Sequence, residues 1–197
     1  MKTVGNYSLS YTFPISFIFT LMISVSALAQ SKVYTYFSLG ISQIQFQEDL
    51  QLESTVFRDT DFANYRGTVV QLQKQTSIQG LGFSMGGIVG TGRAVAAGAG
   101  QTLVYTGGAN WFLIGLTPKA YYRLTKPISF GIQSLAFFKS INFPDNNSIQ
   151  ASGKHKLNFA ILADLTMQLN QDFEFVQSVG SINGDSTLWK IGMNYLY

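Results

Sequence analysis

From Leu157 to Leu169 every second residue is apolar: Leu157, Phe159, Ile161, Ala163, Leu165, Met167 and Leu169. Asn158, Asp164, Thr166 and Gln168 stand among the residues between them. A period of two sends alternate side chains to opposite faces of a strand, whereas a helix would scatter both sets around its axis. One face of this strand is therefore apolar along its whole length. Strands of soluble sandwiches are usually shorter and carry charges on the polar face. The apolar face must meet something wide and nonpolar.

The same alternation recurs along the chain: Phe37, Leu39 and Ile41; Leu81, Phe83 and Met85; Phe112, Ile114, Leu116, Ala120 and Tyr122; and Ile128, Phe130 and Ile132. It is weaker over 66–75 and 173–180. It predicts eight strands, near 33–46, 66–75, 78–90, 109–124, 128–142, 156–170, 173–180 and 188–197. Connections around Gln75–Ser77, Thr125-Lys126-Pro127 and Gln171-Asp172 read as tight, and those at 47–65, 91–108, 143–155 and 181–187 as long. Short and long connections alternate, as in a closed meander crossing a bilayer. Only 12% of residues are charged while 46% are hydrophobic, against about 25% charged in an average soluble domain. In hydrocarbon every backbone N–H and C=O needs a partner, so closure into a barrel is the only β solution. The expected fold is all-β: an eight-stranded antiparallel up-and-down transmembrane β-barrel preceded by a signal peptide.

The N-terminus supplies that peptide. Lys2, the apolar run Ile15–Val25 and the small-residue site Ala27-Leu28-Ala29 follow the order of a cleaved secretory leader. The apolar run is shorter than the roughly 20 residues of a spanning helix. Residues 1–29 are thus expected to be the signal peptide and 30–197 one barrel domain, its exact cleavage position left open. The chain has no Cys, which excludes a disulfide framework, thiolate chemistry and a lipid-modified cysteine after the leader. Without Lys2 of the leader, 12 Lys and Arg stand against 10 Asp and Glu, a balance that gives no reason to expect nucleic acid as a partner.

The last strand, Trp189-Lys-Ile-Gly-Met-Asn-Tyr-Leu-Tyr197, places Trp189, Ile191, Met193, Tyr195 and Tyr197 at alternate positions and ends on an aromatic residue. It resembles the β-signal of bacterial outer-membrane proteins. Nearly the whole chain after the leader resembles the small eight-stranded outer-membrane barrels of the OmpA membrane domain and OmpX type. The resemblance implies recognition of the last strand by the barrel assembly machinery, an integral location in the outer membrane of a Gram-negative bacterium, and contact with outer-membrane lipid. It also implies that the tight turns face the periplasm and the long loops face outward. No peptidoglycan-binding domain follows the strands, so tethering to the cell wall does not carry over.

On the face opposite the apolar one lie Lys119, Arg123, Gln133, Lys139, Asp164, Glu174 and Lys190. In a narrow barrel these should pair with one another as a polar plug, because isolated buried charges are costly and eight strands enclose only enough space for side chains. His155, between Lys154 and Lys156, reads as a solvated loop residue; the serines near it in sequence are Ser148 and Ser152. Gly80-Leu-Gly82-Phe-Ser-Met-Gly86 misses a dinucleotide fingerprint by one residue, and inward glycine is better explained by close packing. Glu48, Asp49, Glu53, Asp59 and Asp61 are spaced too irregularly for a calcium loop. With Leu50, Leu52, Val56, Phe57 and Phe62 they belong to a segment that either extends the wall as a hairpin or covers the barrel mouth.

No catalytic, metal or cofactor site is expected. The leading expectation is a non-enzymatic barrel with a side-chain-filled lumen, acting in membrane integrity or in contact with an unidentified extracellular partner through its loops. The alternatives are a narrow channel for ions or small solutes through a Lys-lined lumen and, behind it, a lipid-modifying outer-membrane enzyme.

Overall fold

The computed structural model describes residues 33–54, 58–96, 109–142, 149–152 and 155–197. The expected leader and the centres of the second and third long loops lie outside them. The described residues form β1 (Val33–Ser54), β2 (Arg58–Ile78), β3 (Leu81–Ala96), β4 (Ala109–Leu116), β5 (Lys119–Arg123), β6 (Ile128–Asn142), β7 (Ile149–Ser152), β8 (His155–Gln168), β9 (Phe173–Ile182) and β10 (Ser186–Leu196). Every pairing is antiparallel. β4 and β5 occupy one place in the wall, both lying between β3 and β6. They are parted at Thr117-Pro118, where proline supplies no ladder N–H.

Closure follows from the register. β1 pairs β2 along its length, from Val33↔Ile78 to Glu53↔Arg58. On its other side it pairs β10, from Ser38↔Leu196 to Phe46↔Leu188. The order β1-β2-β3-β4/β5-β6-β8-β9-β10 returns to β1 as an eight-position ring with no open edge at that level. Exposure alternates strictly with the pleat. On β8, Phe159 is 58% and Ile161 65% exposed, while Leu162 between the latter and Ala163 is fully buried. The exposed set includes Phe37, Leu39, Ile41, Phe112, Ile114, Leu116, Phe130 and Ile132. So continuous an apolar outer face far exceeds what a water-facing surface carries; it is the lipid-facing belt of a transmembrane barrel. At the end bearing Val33 and Tyr197, aromatic rings stack as Phe37–Tyr197 and Tyr195–Tyr197, and Phe173 meets Tyr195 at a tilt. Such rings belong where hydrocarbon gives way to water.

Three connections differ from the sequence expectation. The turn expected at Gln75–Ser77 lies at Gln79-Gly80, both at positive φ, with Ile78 paired to Leu81. The connection expected to be long at 181–187 is a tight turn on Asn183-Gly184, also both at positive φ, with Asp185 N donating to Ile182 O. Consecutive left-handed residues match the twist of flanking strands, and Asn-Gly adopts them readily. The segment 47–65, expected as a loop, continues β1 and β2 as a paired hairpin; of the two arrangements left open for it, the extended wall is the one observed. Past the end of β10, β7 takes up the edge of β1, with Gln51↔Ser152 and Ser54↔Ile149. The end opposite the termini thus carries a projecting β2-β1-β7 sheet.

The faces also exchange character along the wall. On β1 the outward residues are apolar up to Ile41 and then become Gln43, Gln45 and Gln47, while Ile44 and Phe46 point inward and are buried. β2 and β3 do the same: Val70, Leu72, Met85 and Val89 face out lower down, and Arg66, Thr68, Thr91 and Arg93 face out above them. Below this level the wall is built for lipid outside; above it, these strands largely have the apolar-in, polar-out pattern of a barrel in water, with Val95 as an outward exception on β3.

Candidate functional site

The inner faces of the strands form the lumen, whose described side chains pack in three zones. Nearest the termini the zone is polar. The Tyr36 hydroxyl donates to Gln75 Oε1 at 3.1 Å and lies 3.2 Å from the Tyr121 hydroxyl, and Gln75 Nε2 donates to Ser38 Oγ at 2.9 Å. Tyr121 fits because Gly82 faces it: a Cβ there would stand 2.1 Å from the ring. Above these, the Thr117 hydroxyl accepts from Gln71 and Gln73, each at 3.0 Å.

The sequence-derived lumen residues separate in this frame. Lys119 is ion-paired with Asp164 Oδ1 and donates to Thr166 Oγ1 at 3.0 Å. Asp164 also accepts from Thr166 at 3.0 Å and, through Oδ2, from Ser178 at 2.8 Å. Lys190 donates to Gln71 Oε1 at 3.2 Å and Gln133 Oε1 at 2.7 Å. Asp164 and Lys190 flank Ser178 on adjacent strands. Glu174 is buried opposite Asn194. Each buried charge here has a polar partner, the condition under which a charged interior is tolerated. Arg123 departs from the expectation: it shares the inward parity of Tyr121 but sits exposed at the strand end, outside the packed network.

Lys139 is the second departure, because it does not join the polar zone. Between that zone and the far end lies an apolar middle of Ile44, Val69, Ile88, Leu113, Leu135, Leu162 and Leu188. Phe46, Tyr65, Trp111 and Phe137 complete it. Phe46 stacks on Tyr65 with centroids 4.6 Å apart and meets Trp111 and Phe137 edge-on. Lys139 crosses the top of this cluster, its ammonium 4.0 Å from the Tyr65 centroid and ion-paired with Glu48 Oε2. Lys156 reaches Glu48 Oε1 at 2.9 Å from a half-exposed position. Glu48 was placed by its sequence with the loop acids, yet it is buried and makes the third zone, a charged cap between β1, β6 and β8.

Among the described residues no group of acidic residues or His is arranged to hold a metal ion. His155, expected in a loop, is the first residue of β8 and faces Ser140, with Nδ1 at 3.0 Å from Oγ. Its ring stacks on Phe138. The partner serine comes from β6 and not from Ser148 or Ser152, which cross-strand register hides from a reading of neighbours in sequence. Neither residue has a carboxylate as its cross-strand partner, so the pair lacks there the third group that orients a catalytic base. The residues of the last strand, Trp189, Ile191, Met193, Tyr195 and Tyr197, all lie on the outward face.

No protein-family model matches the chain, and no curated protein matches it in sequence. Among solved structures it is similar to Ail, the attachment invasion locus protein of Yersinia pestis, at 15% identity and a TM-score of 0.48, over 81% of this chain and 99% of that one. It is similar to Neisserial surface protein A at 10% identity and a TM-score of 0.46, over 82% and 97%. The KdgM porin aligns at 10% identity and a TM-score of 0.30, over 81% and 99%. Closure of the barrel rests on its own strand pairing rather than on these likenesses.

Proposed function

We propose that the protein is a non-conducting integral barrel of the bacterial outer membrane, exported by a cleaved leader, that reinforces the membrane and presents its projecting sheet to an extracellular partner. The observation carrying this reading is the filled lumen. Trp111, Tyr65, Phe46 and Phe137 are each at most 1% exposed inside the wall, and eight strands leave no space around such rings. In this reading Lys119, Gln133, Asp164, Glu174 and Lys190 hold the wall closed, Lys139 secures its outer end, and Arg123 marks the periplasmic rim. Trp189, Ile191, Met193, Tyr195 and Tyr197 are read by the barrel assembly machinery. No cofactor enters, and no catalytic role is assigned.

Planar-bilayer recording tests the reading. The purified mature chain should insert and show only baseline current; steady single-channel steps would overturn it in favour of the narrow channel. Cross-linking in intact cells, with and without residues 50–61, then tests presentation. The shortened chain should insert normally and lose its cross-linked partner.

A further inference from the structure

One outward feature is unused by the filled lumen. Arg66 on β2 and Arg93 on β3 are direct cross-strand partners, and both are exposed on the outer face. Like charges set directly opposite on neighbouring strands are destabilising, so the pair costs stability unless an anion lies against it. Their other register neighbours are Gln45 on β1 and Asn110 on β4, and Asn110 in turn pairs Asn142 on β6. The row Gln45-Arg66-Arg93-Asn110-Asn142 is a band of hydrogen-bond donors without a carboxylate.

Its height is also specific. Both arginines stand about twelve residues along their strands from the Gln79-Gly80 turn, which at ~3.3 Å per residue and a tilt of about 40° places them roughly 30 Å above it. The apolar band of such barrels is about 25 Å tall, and on these strands the outward apolar residues below the arginines end at Val70 and Val89, with Val95 standing out alone above Arg93. The arginines therefore reach the level of lipid headgroups at the end opposite the termini.

The wall beneath them is rigid. Trp111, buried inside, donates its indole N–H to Arg93 O at 3.1 Å. It lies over Gly67, the residue next to Arg66, where a Cβ would stand 2.5 Å from the ring. One interior side chain thus fixes the backbone under both guanidinium groups. A guanidinium presents a planar fork of donors that matches phosphate oxygens in pairs.

We propose that Arg66 and Arg93, flanked by Gln45 and Asn110, form a binding site for the phosphate of an outer-leaflet lipid headgroup. The site rests on the membrane reading above and adds a specific lipid contact to it. Holding the phosphate offsets the repulsion between the two arginines and fixes the barrel's height in the leaflet.

The mature chain is inserted into phosphatidylcholine nanodiscs doped with bis-phosphorylated lipid A, with dephosphorylated lipid A, or with phosphatidylglycerol. Lipid retained on the extracted barrel is then counted by mass spectrometry. Retention of an anionic phosphate-bearing dopant, lipid A or phosphatidylglycerol, in excess of the zwitterionic phosphatidylcholine matrix and not of dephosphorylated lipid A, is expected, and the dopant retained identifies the headgroup. R66Q/R93Q should lower retention about tenfold or more; R66K/R93K, which keeps the charge but loses the fork, should fall between; and K74Q, which removes an outward charge elsewhere, should leave it unchanged. Heat-dependent gel mobility reports folding of each variant. If R66Q/R93Q does not fold, the lysine variant decides. Equal retention by native and arginine-substituted barrels, or equal retention of both lipid A forms, overturns the site. Failure of the native chain to insert overturns the membrane reading itself.

Discussion

Asp164 is the residue on which the inner polar network turns, since Lys119, Thr166 and Ser178 all converge on its carboxylate. Removing it leaves Lys119 charged in a closed space, and breaking a buried pair in this way costs about 3–5 kcal/mol. We expect Asp164→Ala to lower the unfolding temperature of the barrel in detergent, followed by heat-dependent gel mobility. The double variant D164A/K119M should recover much of the loss because neither charge is then stranded. Gly82→Ala should also destabilise, as its Cβ would enter the Tyr121 ring. Normal thermal stability of that variant would contradict the packing described. Period two identifies which residues share the inner face, but not at what height they meet. Glu48 and Lys139 illustrate the gap: ninety-one positions apart, they are joined by closure of the ring and strand register, which no local pattern encodes.

Among the elements, the hairpins show how much of the wall is written locally. Asn183-Gly184 takes the left-handed conformation that a two-residue turn requires, although the segment around it reads as a long loop. Replacing Gly184 by Val should cost about 1 kcal/mol or more, since a β-branched residue disfavours positive φ; thermal melts of the variant check this. The projecting part of β1 and β2 was harder to read for a different reason. Strand recognition there depends on outward apolar residues, and above Ile41 the apolar parity moves to Ile44 and Phe46 on the inner face. A pattern tuned to a lipid-facing wall loses the strand where the wall leaves the lipid. β7 is shorter still, and its pairing with β1 depends on a distant segment. By contrast the belt segments on β4, β6, β8 and β10 were legible because one solvent, hydrocarbon, selects every second residue.

At the scale of the whole molecule, low charge and dispersed apolar residues have one cause: a ring that turns its apolar face outward and closes its backbone on itself. The described charges divide among the interior, the outer end and the opposite rim, where Arg123, Lys126 and Asp172 are exposed, with Lys74 on the outer face. The most direct test of this account uses the absence of cysteine from the chain. Single cysteines are introduced in turn at positions 159 to 165 of β8, labelled with a fluorophore in the unfolded chain, and the barrel is refolded into vesicles. Labels at 159, 161, 163 and 165 should be quenched by nitroxides on the lipid chains and not by aqueous iodide. Labels at 160, 162 and 164 should impair refolding, because those positions are packed inside. Quenching by iodide at the odd positions, or no alternation between odd and even ones, would contradict the lipid-facing barrel.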